Sequence, residues 1–156
     1  LLKFLILYFI VLKRNEFNEP MDGLVYGVVV SLGFATYENY TYVYEWATNI
    51  ASKEGFDVAE FSYLVALGRS YSAVPMHGLN GAVMGYYFGM YAFTGNKNFL
   101  ILSLILPYLF HGFYNFFGWP DSMWVILALV FSSLYLHREL KNKQKLKKTE
   151  KEIKKI

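Results

Sequence analysis

Three ionisable side chains lie in the apolar parts of this sequence, where they could carry chemistry. His77 and His111 are surrounded by long runs of aliphatic and aromatic residues, and Glu38 lies near the end of another such run. Imidazole can transfer protons or bind a metal, and a carboxylate can act as a base or a ligand. Ionisable groups are costly to hold inside a membrane and are usually functional there. These residues therefore predict an active site within a membrane.

The composition indicates that membrane helices position these groups. The chain of 156 residues is 55% hydrophobic, 20% aromatic and only 17% charged. A soluble domain of this length rarely combines so many aromatic residues with so few charges. Nine of the 15 lysine and arginine residues lie from Arg138 onward, so the positive charge belongs to a tail, and no nucleic-acid partner is expected. The absence of cysteine excludes disulfides and thiolate chemistry.

Five hydrophobic segments predict an all-α, polytopic transmembrane helix bundle. The first, residues 1–12, is shorter than the roughly 20 residues that a span requires, and we interpret it as the end of a longer helix. The other four are residues 22–44, 72–93, 99–117 and 123–137. The stretch between the second and third segments, near residues 47–68, is predicted to be a polar connection. We therefore expect a truncated transmembrane domain at residues 1–137 and a basic cytoplasmic tail at residues 138–156.

Basic residues in alternate connections predict the orientation. Lys13, Arg14 and Lys97 lie in the first and third connections, and the basic tail follows the fifth segment. The positive-inside rule makes that side cytoplasmic. Aromatic residues that include Trp46 and Trp119 fit a belt at the opposite face. We expect a multi-pass protein in the bilayer of the cell (inner) membrane, with a cytoplasmic C-terminus.

Helical rise places the polar groups at one level. At about 1.5 Å per residue, Glu38 and His77 lie roughly 24 Å above the cytoplasmic ends of their helices, and His111 lies roughly 20 Å above its own. The four-residue spacing that contains His77 also contains Arg69, Ala73, Gly81, Gly85 and Gly89. A second stripe of small residues leads to Glu38, namely Gly27, Ser31 and Ala35. Small residues at this spacing let helices approach closely, so we expect the three groups to converge inside the bundle.

Two motifs give the sequence a resemblance to a known family. FATYEN ends at Asn39 and HGFYN ends at Asn115, and between them lie Arg69 and His77 with the spacing R-x7-H. In this order and in apolar surroundings, they resemble the motifs of PrsW-type intramembrane proteases. These share a superfamily with the CAAX prenyl endopeptidases and Abi-type membrane proteins. The resemblance covers about residues 1–115 and implies a peptidase in which Asn39 and Arg69 support the site.

The first motif of that family is Glu-Glu-x-x-Lys, and this chain contains its last three positions, which end at Lys3. The two glutamates would lie immediately before Leu1, and one of them is the family's proposed catalytic base. At about 1.5 Å per residue, they would lie roughly 20 Å above the inner face, close to the level of the histidines. We therefore expect the chain from Leu1 onward to be inactive by itself.

The resemblance implies hydrolysis of a peptide bond near the membrane surface. In a glutamate mechanism, the upstream carboxylate deprotonates water, His77 helps to hold it, and His111 and Asn115 donate hydrogen bonds to the oxyanion. Glu38 then has a supporting role. In a metal mechanism, His77, His111 and a glutamate bind zinc, with water as the fourth ligand. The glutamate mechanism, without a cofactor, is favoured, and zinc remains possible although no HExxH motif occurs.

The expected substrate is a single-pass membrane protein. The resemblance suggests an anti-sigma factor and, less well, a prenylated peptide. Two other functional classes remain open. One is a non-catalytic membrane scaffold or immunity-type protein, in which the polar residues only lock helices together and Arg69 extends to lipid headgroups. The other is a transporter, which the lack of an internal repeat and the off-centre polar level disfavour.

Overall fold

The computed structural model describes the backbone of residues 1–118 and 120–153, and within these ranges the side chains as far as residue 145. Trp119, which was predicted to join the aromatic belt, and the last three residues of the predicted tail lie outside the described residues. The described residues form helices and turns, with no strand among them. The predicted all-helical class is therefore confirmed.

Seven α-helices follow one another through the described residues. They are α1 (Leu2–Phe9), α2 (Pro20–Tyr40), α3 (Ala47–Glu54), α4 (Val58–Tyr71), α5 (Ala73–Thr94), α6 (Lys97–Phe117) and α7 (Met123–Ile153). A short 3-10 turn (Val11–Lys13) follows α1, and a π-helical segment (Thr41–Trp46) joins α2 to α3. The last helix runs without interruption through residue 138, where the predicted tail begins.

Helices α2 and α5 form the centre of the fold, and glycine explains how closely they pack. A Cβ atom added to Gly23 would lie 2.7 Å from the Cα atom of Gly89, and one added to Gly27 would lie 2.7 Å from the Cα atom of Gly85. Side chains do not approach backbone atoms so closely, so only glycine permits this separation of the helices. The predicted stripes of small residues are therefore the α2–α5 interface.

Apolar side chains attach α1 and α7 to different faces of α5. On one face, Phe4 of α1 meets Phe88 edge to face, with ring centroids 6.0 Å apart. On the other face, Val83 of α5 belongs to the buried cluster that Leu129 of α7 also joins. The main core thus surrounds α5, the helix that carries His77.

Within the described part of the chain, two helices are long and apolar enough to cross a membrane, α6 over Lys97–Phe117 and α7 over Met123–Lys145. Much of α6 is exposed in the isolated chain, including Ile101, Tyr108 and Phe116. Such an apolar surface suits contact with lipid. Helices α2 and α5 are of similar length, at 21 and 22 residues, but their facing stripes of small residues pack against each other rather than against lipid.

The stretch predicted as a polar connection, residues 47–68, contains two helices that the sequence analysis did not predict, because α3 and α4 occupy most of it. Gly55 ends α3 in the left-handed conformation, with φ of 76°, which glycine adopts without strain. Asp57 caps α4 by accepting a hydrogen bond from the Glu60 amide at 2.8 Å. The four-residue spacing that links Arg69 to His77 is not one continuous helix, since Ser72 separates α4 from α5 with φ of −121° and ψ of −70°.

Candidate active site

A cavity of about 360 Å³ opens between α1, α2, α5 and α6. Most of its lining residues are apolar, and the charged, imidazole and amide side chains among them are those of Lys3, Glu38, Asn80, His111 and Asn115. All of these except Asn80 were singled out in the sequence. His77 lies behind this lining and is fully buried. The cavity therefore brings side chains from four helices, far apart in the sequence, to one place.

His77 is bonded through both of its ring nitrogens. Its Nδ1 atom lies 2.8 Å from Nζ of Lys3, and its Nε2 atom lies 2.9 Å from Oε2 of Glu38. A lysine ammonium group can only donate, so Nδ1 accepts and the ring proton lies on Nε2, which donates to Glu38. Phe34 packs against the imidazole with ring centroids 5.8 Å apart and also lies beneath the Lys3 ammonium group. His77 is thereby held in one tautomer and one orientation.

Arg69 connects α4 to the last two residues of the FATYEN motif, Glu38 and Asn39. Its Nη2 atom donates to Oε2 of Glu38 and its Nε atom donates to Oδ1 of Asn39, each at 2.7 Å. Its guanidinium group also stacks on the ring of Tyr42, 4.1 Å from the centroid. The three contacts fix the planar group in position. Glu38 therefore joins α2, α4 and α5 through one carboxylate oxygen.

The π-helical segment was not foreseen from the sequence. It begins at Thr41, two residues after Asn39, and it contains Tyr42. A π-helix has one more residue in each hydrogen-bonded ring than an α-helix and is frequent near functional sites. Here the wider turn changes which side chains of the helix share a face, directly after the FATYEN motif. The same segment carries Tyr42, whose ring lies against Arg69.

His111 faces His77 across α5 and α6, with ring centroids 5.3 Å apart. The side-chain amide of Asn115 lies 3.3 Å from Nδ1 of His111. An amide NH2 group donates, so Nδ1 accepts and the proton of a neutral His111 ring lies on Nε2. His111 is partly buried and Asn115 is exposed. The pair therefore retains two N–H groups that a third molecule could bond, one on each side chain.

Among the described residues, Glu38, His77 and His111 could supply metal ligands, since their candidate atoms lie within 4.8 Å of one another. Zinc requires an unprotonated nitrogen about 2.0–2.1 Å away. In His77 the Nε2 atom carries the proton, and Nδ1 accepts from Lys3. The ammonium group of Lys3 would also repel a divalent cation held at this ring. In this arrangement the residues do not fit a zinc site.

Asn80 is the polar residue of the cavity that the sequence analysis missed. It is 4% exposed, and its Nδ2 atom donates to the carbonyl oxygen of Pro107 at 2.9 Å. Its Oδ1 atom is buried without a partner. A signal was available, because Asn80 follows His77 by three residues and so lies on the same side of α5.

Comparison with known proteins identifies a family over most of the chain. The model of the family described as "PrsW family intramembrane metalloprotease" matches residues 1–137. Protease PrsW of Clostridioides difficile (strain 630) is 33% identical over 132 residues, which cover 82% of this chain and 51% of that protein. Protease PrsW of Bacillus subtilis (strain 168) is 38% identical over 133 residues, which cover 83% of this chain and 54% of that protein.

The chain spans about half the length of the curated relatives it matches. No solved structure matches it. The family match covers far more than half of the chain, and the motifs that carry the resemblance surround one cavity. This chain belongs to the PrsW family of intramembrane proteases.

Proposed function

We propose that this chain forms the catalytic part of an intramembrane endopeptidase that cleaves a membrane-anchored protein near the outer surface of the bilayer. The observation that carries the proposal is the bonded group of Lys3, Glu38 and His77, which lies opposite His111 at one cavity. Buried charged groups are costly unless they are paired. A peptidase needs ionisable groups that are fixed in position beside a cavity that the peptide can enter.

The general base is assigned to the glutamate pair that precedes Leu1 in the family motif. Residues three and four positions before Lys3 share its face on a helix, and Lys3 lines the cavity. A carboxylate on that face would therefore also lie at the cavity. Glu38 is less suitable as the base, because its Oε2 atom already accepts from Arg69 and His77.

The proposed reaction uses the upstream carboxylate twice, first as a base and then as an acid. The upstream carboxylate takes a proton from water, and the hydroxide that forms attacks the carbonyl carbon of the substrate. The carbonyl electron pair moves to oxygen, where the Nε2–H of His111 and the amide of Asn115 donate hydrogen bonds. The C–N bond then breaks, and the leaving nitrogen takes the proton from the glutamic acid. His77, bonded to Lys3 and Glu38, orients the groups around the water.

The proposed mechanism needs no metal. A zinc mechanism would need His77 to release the proton on Nε2 or the hydrogen bond from Lys3. Purified, active protein should therefore keep its peptidase activity in a chelator, at the same rate as without it. Inhibition by the chelator that added zinc reverses would contradict this part of the proposal.

The membrane arrangement is also proposed. Helices α2, α5, α6 and α7 cross the bilayer, and residues 138–156 are cytoplasmic. The length of these helices and the segregated basic residues support this topology. A reporter fused after Ile156 should be active only in the cytoplasm, and activity outside the cell membrane would contradict the topology.

The experiment that tests the peptidase uses protein that carries the Glu-Glu-x-x-Lys motif. It should cleave a single-pass membrane protein of the anti-sigma-factor type near its outer end, whereas the chain from Leu1 onward should not. His77→Ala and His111→Ala should abolish cleavage while the protein remains inserted. Asn115→Ala should slow cleavage by about 10²–10³, as removal of one oxyanion donor does elsewhere.

A second candidate function is a non-catalytic scaffold or immunity-type protein. It is favoured by one observation, namely that the bonds of Glu38 and His77 join four helices and would also serve a purely structural role. Normal cleavage by the His77 and His111 variants would exclude the proposed active site and favour this alternative.

A further inference from the structure

We propose that Asn80 is a positioning residue, which sets the height of His111 on α6 relative to His77 on α5. The inference rests on the proposed peptidase function. Its geometric basis is the hydrogen bond that Nδ2 of Asn80 donates to the carbonyl oxygen of Pro107 at 2.9 Å. Because a carbonyl oxygen only accepts, Nδ2 must be the amide atom that faces Pro107.

The two bonded residues lie one helical turn from the two histidines. Asn80 follows His77 by three residues, and Pro107 precedes His111 by four. At about 1.5 Å per residue, the bond lies roughly 5–6 Å from the level of both imidazoles. In an α-helix the carbonyl of residue i accepts from the amide of residue i+4. Asn80 therefore bonds the same carbonyl group that the backbone amide of His111 uses.

Proline makes this point of α6 dependent on outside support. Pro107 has no amide hydrogen, so it cannot bond the carbonyl group of Ser103, and its ring disturbs the preceding turn. The helix is thus weakened one turn before His111. A side-chain bond from α5 at this position restrains the weakened turn, and with it the direction of the turn that follows.

Apart from this bond, helix α6 is held mainly by apolar packing, for example of Leu106 and Phe110 against the main core. Among the described residues, the bond from Asn80 is the only side-chain hydrogen bond between α5 and α6. Most of α6 is exposed, and Ser103 is its one fully buried side chain. Apolar packing alone permits small shifts along a helix axis, whereas a hydrogen bond of fixed length does not.

Packing does not explain why an amide occupies this position. The Oδ1 atom of Asn80 is buried without a partner, and such an atom destabilises a fold. Leucine has a similar volume and would remove both the unpartnered atom and the bond to Pro107. The substitution Asn80→Leu therefore separates a role in stability from a role in catalysis.

The test compares Asn80→Leu with a matched control in protein that carries the Glu-Glu-x-x-Lys motif. Asn80→Leu should unfold at the same or a higher temperature. Its kcat should fall by up to about 10²-fold, the cost of misplacing a catalytic group by 1 Å. KM should not change, because the interaction that weakens is the hydrogen bond from His111 to the oxyanion, which forms only in the transition state. Asn80→Ala removes the same hydrogen bond but leaves a cavity instead of a branched side chain. It should show the same fall in kcat, and its KM should also stay unchanged.

Ser133→Ala is the control. Ser133 of α7 donates to the carbonyl oxygen of Leu79, the neighbour of Asn80, at 3.3 Å, so its removal alters a bond to α5 without affecting α6. Its kcat should be normal. A normal kcat in both Asn80 variants, while His111→Ala is inactive, would overturn this inference alone. An equal fall in kcat for Ser133→Ala would also overturn it, because general loosening of α5 would then explain both. Normal cleavage by His111→Ala would remove the proposed function and this inference together.

Discussion

His77 and His111 lie 5.3 Å apart between ring centroids, yet they are held in different ways. His77 is fully buried on α5, bonded at both nitrogens, and its helix packs on α2 through glycine backbone. His111 is partly buried on the exposed helix α6, and among the described side chains its ring bonds one, that of Asn115. One side of the cavity is therefore fixed, and the other side has room to adjust.

The difference fits the division of work in the proposed reaction. The fixed side holds the groups around the water, whose position relative to the base must be set before the substrate arrives. The adjustable side offers hydrogen-bond donors to an oxygen atom that arrives with the substrate. Catalytic hydrogen bonds are often long before the substrate binds, and the bond between Asn115 and His111 is also long, at 3.3 Å.

The largest effect on the fixed side is expected for Gly85→Ala. An added Cβ atom would overlap the carbonyl oxygen of Gly23, and because this neighbour is backbone, α2 and α5 would have to separate. Overpacking of this kind costs about 1–3 kcal/mol. Thermal unfolding of the purified protein and the yield of inserted protein both measure the loss.

The matched control for Gly85→Ala lies on the adjustable side. A Cβ atom added to Gly112 of α6 would meet nothing within 4 Å. Gly112→Ala should therefore be neutral or should stabilise the protein by up to about 1 kcal/mol, because alanine favours the helix. Similar unfolding temperatures for the two variants would contradict the contrast between the helices.

The sequence predicted the parts of the fold that have a local, repeating signal. Stripes of small residues indicated the α2–α5 interface, and polar residues in apolar runs indicated Glu38, His77 and His111, which line or lie behind one cavity. Helices α3 and α4 were missed because their polar residues resemble those of a connection, although the glycine end of α3 and the aspartate cap of α4 were visible in the sequence.

Other features depend on tertiary contact and have no local signal. The break at Ser72 puts Arg69 on a separate helix from His77, and a regular four-residue spacing concealed it. The bond from Asn80 to Pro107 depends on how α6 lies against α5. The bond from Lys3 to His77 joins residues 74 positions apart, and only the packing of α1 creates it.

Substitution of the two histidines tests the contrast at the site itself. Both His77→Ala and His111→Ala should stop cleavage, but only His77→Ala should greatly lower stability. It leaves a void and removes the group that Lys3 and Glu38 share, at a cost of about 1–3 kcal/mol for partners that are partly buried and left unsatisfied. His111→Ala removes one long bond to the exposed Asn115, so a loss of about 1 kcal/mol or less is expected. Equal shifts in unfolding temperature would show that the two sides are held alike.

The smallest effect is expected for Arg69→Lys, which keeps the charge beside Glu38. Lysine cannot bond Glu38 and Asn39 together, nor stack as a plane on Tyr42. The lost bond to Asn39 is worth about 0.5–1.5 kcal/mol, so a modest fall in stability and a small fall in cleavage are expected. Asn39→Ala removes the same bond from the other side. The double variant should therefore be little less stable than either single one, because the two changes share one interaction. If Arg69 only extended to lipid headgroups, lysine would replace it without loss, and the two substitutions would have independent effects on the unfolding temperature.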